Sequence, residues 1–155
     1  MDKNTSPSFL SNRISVIEIN SVWFGVDILK SKEVIPLPSI TPVPNTKEFI
    51  VGVFNLRGEI FPLVDISTIL GMEAKPIKGS DMVIVLDGKS MTVGILVDRI
   101  HGVRTLDNVQ VKPAHGIVSR QMEEFVSSVI SEKSSVIYLL EIDRLFSTSL
   151  IRTYY

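Results

Sequence analysis

The chain has 155 residues, 45% hydrophobic and 21% charged, enough for one domain or for two very small ones sharing a core. Its 16 basic and 17 acidic residues leave a net charge of −1, and no run of Lys and Arg interleaves with aromatics, so nucleic acid and acidic lipid are not expected partners. The absence of cysteine excludes disulfides, thiolate metal sites and cysteine nucleophiles, and suits a reducing cytoplasm.

Residues 1–11 are rich in Ser, Thr, Asn and Pro and read as a flexible tail without a signal-peptide core. Apolar runs reach only about five residues, far short of the ~20 a membrane helix needs, so no membrane insertion is expected. From Ile14, "ISVIEIN", a turn at Asn20-Ser21 and "VWFGVDI" predict two strands, because β-branched and aromatic residues dominate. "PLPSITPVPNT" (36–46) holds four prolines, which remove backbone donors, so an ordered loop is predicted, with Thr46 capping one helical turn through Phe49. "VGVFNL" and "EIFPLVDI" then predict a hairpin whose turn uses Gly58 at positive φ. Pro62 inside the second arm predicts an edge strand or a bulge.

"STILG" predicts a helical turn ended by Gly71. "DMVIVL" and "SMTVGILVD", joined at Asp87-Gly88, predict a second strong hairpin. "GVRTL" and "NVQV" are short strand candidates and 113–124 reads as loop. "FVSSVIS" and "VIYLLEI" are strands turning at Glu132–Ser135, and "DRLFSTSL" reads as a last helix with Asp143 near its start. Two pairs of segments also match in order. "SVWFGVDILKSKEV" (21–34) and "SMTVGILVDRIHGV" (90–103) each place Ser four residues before a Gly and Val nine after it. "NLRGEIFPLVDISTIL" (55–70) resembles "ISEKSSVIYLLEIDRLF" (130–146) as turn, apolar strand, acidic residue and short helix. A duplicated β unit, and so two small barrels with a groove between them, is the expectation.

Catalytic chemistry finds no support. His101 and His115 each precede a Gly, lack metal-ligand spacing, and read as loop or strand-end residues. Glu59 and Asp65 lie ~20 Å apart along an extended arm, beyond the ~5–10 Å of paired catalytic carboxylates. No Gly-rich phosphate loop or nucleophile elbow occurs. No enzyme activity, catalytic residue, metal or cofactor is expected.

The segment "FIVGVFNLRGEIFPLVDISTILGM" (49–72) closely resembles the signature of the CheW family of chemotaxis coupling proteins. The likeness extends upstream to "FGVDILKSKEVI" (24–35), downstream to "MTVGILVDRIHGV" (91–103), and over about residues 13–150. The resemblance implies an all-β fold of two five-stranded SH3-like barrels packed side by side, with short helical turns and a short C-terminal helix. The CheW-like domain would span 12–153, the first barrel roughly 12–78 and the second 79–146. It implies a cytoplasmic, non-enzymatic adaptor recruited to receptor arrays at the inner membrane. Its partners would be the regulatory domain of the histidine kinase CheA and the cytoplasmic tips of chemoreceptors.

Carried over position by position, the resemblance assigns Arg57, Gly58, Asn55, Val103 and Glu33 to receptor binding, and Ile28 and Ser31 to the kinase. Leu56 completes the turn. Ser31 departs from the apolar residue of a family member, and the chain ends at "IRTYY", where some relatives have a longer helical tail. Bland readings stand beside these: Arg57 as a solvated turn residue, Gly58 as a backbone requirement, and Glu33 as a surface charge. Val103 and Ile28 would then be packing residues, Trp23 a core residue, and Phe54 and Phe61 barrel filling. Two other functions stay open: a CheW-like coupling protein of a related pathway, such as type IV pilus motility or development, and a small-ligand-binding β-barrel.

Overall fold

A computed structural model describes residues 7–89 and 91–147. The β-branched runs form strands as expected: β1 (Arg13–Ile19), β2 (Val22–Asp27), β3 (Ser31–Pro36), β4 (Ile50–Leu56), β5 (Glu59–Val64), β6 (Met82–Asp87), β7 (Thr92–Val97), β8 (Arg99–Thr105), β9 (Val111–Pro113), β10 (Val126–Glu132) and β11 (Ser135–Leu140). Among the described residues, helical structure is confined to a 3-10 turn at Ile28–Lys30 and to α1 (Arg120–Glu123) and α2 (Ile142–Ser147). None of these is long and apolar enough to cross a membrane. The expected last helix is α2 in its first part, while residues 148–155 lie outside the described residues.

Two sheets result, ordered β8-β1-β2-β11-β10-β9 and β3-β6-β7-β5-β4. They match strand for strand. Gly25 of β2 pairs in parallel with Leu139 of β11, and Gly94 of β7 with Leu63 of β5. Lys32 and His101, each seven residues after its glycine, are the bulged residues of β3 and β8. The duplication is therefore visible in register, but the sequential split at 78/79 is not how the strands divide. The hairpin β1–β2 joins β8–β11, while β3 crosses over to pair with β6. Each repeat gives its hairpin to one sheet and its remaining strands to the other.

Both sheets close into SH3-like barrels through the segment that follows the crossed strand. Beyond β3, Thr41 exchanges two 2.9 Å hydrogen bonds with Val53 of β4, the opposite edge. Beyond β8, β9 pairs with β10. That closing segment is long enough there to count as a sixth strand, which is why one sheet has six strands where five were expected.

Three apolar clusters hold this arrangement. Ile14, Val16, Ile130, Ile137 and Leu139 fill one barrel, and Phe54, Phe61, Leu63, Val83, Val85 and Leu96 fill the other. The outer faces of β1, β2, β6 and β7 supply Ile17, Phe24, Ile84 and Ile95 to a larger cluster between the barrels. These strands are buried on both faces, so they read as continuous apolar runs. Each such side chain stabilises the fold by about 1.5–3 kcal/mol.

Four local expectations are corrected. Thr46 caps no helical turn; its hydroxyl donates to the Val43 carbonyl at 3.0 Å. Pro62 lies on β5, between β4 and β7 rather than at an edge, and the lost donor is tolerated because pairing with β7 begins only at Leu63. Asp87 belongs to β6, paired with Thr92, so the connection after it is longer than a two-residue turn. Residues 8–10 of the expected flexible tail are fixed, because Ser8 and Leu10 donate to the buried carboxylates of Glu141 and Asp27.

Candidate partner-binding site

The β4–β5 turn is two residues long, with Arg57 at φ 52° and Gly58 at φ 88°. Glycine takes this left-handed geometry freely; an arginine there costs about 1 kcal/mol or more. The Asn55 side chain accepts the Gly58 N–H at 3.1 Å and fixes the turn. Arg57 is 73% exposed and donates to both oxygens of Glu33, with Nη2 3.0 Å from Oε2. The hydrogen bonds from Arg57 hold the Glu33 carboxyl below its ordinary value, and Glu33 raises the Arg57 guanidinium. The arginine thus binds a carboxylate in the bidentate way its chemistry favours, but that carboxylate belongs to its own chain.

Two exposed apolar side chains lie on the elements that carry the pair. Ile60 lies opposite Asn55 across the hairpin and is 59% exposed, while Val34 follows Glu33 on β3. The sequence reading missed both. Alternation was the available signal: Ile60 and Phe61 are neighbours on a strand, so one must face out. Phe54 and Phe61 fill the barrel as expected.

The other candidates lie elsewhere. Val103, 44% exposed, sits on β8 in the other sheet, paired with Ser15. It is the repeat counterpart of Val34, each nine residues after its strand glycine. Ile28 and Ser31 belong to the 3-10 turn and the start of β3, and both are half-buried. Next to them Leu29 is 63% exposed, and Lys30 pairs with Asp143 of α2 at 3.0 Å. Arg57, Gly58, Asn55 and Glu33 therefore form one group, Ile28 and Ser31 a second, and Val103 a third.

The histidines are tied up structurally. His101 stacks on the half-buried Trp23 at 3.9 Å and its Nε2 is 2.7 Å from Glu18, while His115 pairs with Glu123. A broad cleft of about 740 Å³ opens between the β1–β2 turn, residues 72–81 and Asp98. Two of the carboxylates that line it, Asp81 and Asp98, lie 2.6 Å and 3.1 Å from the Nζ of Lys75, whose side chain is fully buried.

The family profile of the CheW-like domain matches residues 13–150. The chain belongs to the CheW-like family. This CheW-like chain is 33% identical over 123 residues to the chemotaxis protein CheW of Rhizobium meliloti, a match covering 79% of each. Its fold superposes on the scaffolding protein CheW of Thermoanaerobacter tengcongensis with a TM-score of 0.76 and 27% identity, covering 90% of this chain and 95% of the other. Protein PilI of Pseudomonas aeruginosa matches a shorter stretch, 32% identical over 72 residues, 46% of this chain and 40% of that protein. The family expected from residues 49–72 and the two-barrel all-β fold are both borne out.

Proposed function

We propose that this CheW-like chain is a cytoplasmic adaptor without catalytic activity that couples chemoreceptors to the histidine kinase CheA. The observation that carries the reading is Arg57, exposed on a turn that forces it into a costly backbone conformation. That turn lies inside the matched family block. In this reading Arg57, Gly58, Asn55 and Glu33, with Val103 on the other barrel, meet the receptor tip, and Ile28 and Ser31 meet the kinase's regulatory domain. Arg57 would recognise a carboxylate or the free carbonyls of a helix end. Signalling would pass by shifting populations of packed arrangements, with no chemistry in this chain.

Coupling in a related pathway, such as type IV pilus motility, is a second reading, and the partial likeness to PilI favours it. The small-ligand barrel is not favoured, because side chains fill both barrel interiors. Calorimetry with the regulatory domain of the same organism's CheA, and with a receptor-tip fragment, tests the proposal. Wild type is expected to bind both, and Arg57→Glu to weaken receptor binding by about tenfold while sparing the kinase. Binding to neither partner overturns the chemotaxis reading; binding only to a pilus-pathway receptor tip selects the second.

A further inference from the structure

Two buried carboxylates at one end of the β1–β2 barrel share their hydrogen bonds with the N-terminal segment. Glu141, 4% exposed, accepts from the Ser8 N–H at 3.2 Å, from the Ser8 hydroxyl, and from the Ser127 hydroxyl at 2.6 Å. Asp27, 2% exposed, is divided between two backbones. Its Oδ2 accepts the Leu10 N–H at 2.7 Å, and its Oδ1 accepts the Leu29 N–H at 3.1 Å. Between these anchors Phe9 packs onto the apolar filling of the barrel.

The Leu29 bond is the N-cap of the 3-10 turn Ile28–Lys30. A three-residue turn has few internal bonds, so between the paired ends of β2 and β3 its order draws on that cap and on the Lys30–Asp143 pair. Losing the Leu10 donor would leave a buried carboxylate short of a partner, and it would turn toward water and loosen its hold on Leu29. Segment 8–10 belongs to no strand and is held by the hydrogen bonds of Ser8 and Leu10 and by Phe9, so it opens at lower cost than the paired strands. We propose that residues 8–10 are a detachable strap that, through Asp27, orders the turn presenting Ile28 and Leu29 to the kinase. The kinase half rests on the adaptor reading; the ordering of the turn does not.

The test uses the full chain with Leu10→Pro, which removes the donor at a residue 75% exposed and also restricts the backbone there, and Ser8→Asp, which sets a carboxylate against Glu141. Leu10→Ala keeps the N–H and serves as control. Exchange of the Leu29 amide is followed by NMR, and affinities for the kinase's regulatory domain and the receptor tip by calorimetry. Both strap variants are expected to speed Leu29 exchange about tenfold and weaken kinase binding about tenfold, with receptor binding and Leu10→Ala unchanged. Should Leu10→Pro fail to fold, Ser8→Asp carries the same readouts. Unchanged Leu29 exchange overturns the strap, and faster exchange with unaltered kinase affinity overturns its role in presentation. If wild type does not bind the kinase fragment, the adaptor reading fails and the kinase half with it, while Leu29 exchange still decides whether the strap orders the turn.

Discussion

Arg57 and Glu33 join the two ends of one sheet: the turn after β4, an edge strand, is bonded to β3, the opposite edge. The pair therefore closes a barrel and presents a charge at the same time. A receptor carboxylate aimed at Arg57 must compete with Glu33 or share the guanidinium with it.

The pair makes a pH-dependent prediction with a fixed sign. Arg57 lowers the folded-state value of Glu33, so the pair's contribution is present above the unfolded carboxyl value, about 4.3, and is lost as pH falls through the lower folded value. In Arg57→Ala the Glu33 midpoint, followed by carbon-detected NMR, should rise to the ordinary range. The unfolding midpoint at neutral pH should stay close to wild type, because exposed ion pairs contribute little. A large loss of stability would make the pair a structural strut first.

Val103 separates surface from packing on the other barrel. Its side chain is 44% exposed, so Val103→Glu should leave urea unfolding near wild type while lowering receptor-tip affinity about tenfold. Unfolding at distinctly lower urea would mark Val103 as a packing residue and withdraw it from the site.

The duplicated glycines predict unequal losses. A Cβ on Gly25 would stand 2.7 Å from the Ile14 methyl and 3.0 Å from a Leu139 methyl, both ends of aliphatic chains. On Gly94 it would stand 2.6 Å and 2.8 Å from the Phe54 ring and 2.9 Å from Val83, and a ring packed on Phe61 yields less. Gly52→Ala would put its Cβ 2.5 Å from the Thr41 carbonyl oxygen, in the bridge that closes the barrel. Equilibrium unfolding should show Gly25→Ala costing about 1 kcal/mol and Gly94→Ala about 2–3 kcal/mol, by overpacking. Gly52→Ala should cost at least as much as Gly94→Ala. Equal values for Gly25 and Gly94 would mean that the two interiors are equally compliant.

The strands were legible because period-two and continuous apolar runs bounded by Gly, Asn and Pro carry their own signal. The repeat was legible too, in the spacing of Gly25 and Gly94 from their flanking Ser and Val. The crossing of β3 and β8 between sheets was not, because a strand's sequence records which face is buried and not which hairpin lies beside it. The candidate site was half legible. Arg57 and Glu33 were both singled out, but a contact 24 positions apart has no local signature. Asp27 and Glu141 were passed over because a buried carboxylate and a surface one look alike until their donors are placed.

Lys75 gives the largest predicted effect on stability. Its ammonium lies between Asp81 and Asp98 and also donates to the Pro76 carbonyl at 2.8 Å, while its N–H donates to Asp65 at 3.0 Å. Asp98 in turn accepts the Asn20 N–H from the β1–β2 turn at 2.8 Å, so one cation ties the 72–81 segment to both barrels. Lys75→Met removes the cation and leaves the fully buried Asp81 carboxylate without its counter-charge. Breaking a buried pair from one side costs about 3–5 kcal/mol, a large part of the stability of a domain this size. Adding Asp81→Asn to Lys75→Met should recover part of that loss, since no unpaired charge then stays buried at that position. Denaturant unfolding of the two variants decides. Recovery in the double variant identifies charge burial as the cause, and a double variant as unstable as the single one would assign the loss to the tie that Lys75 makes between segments.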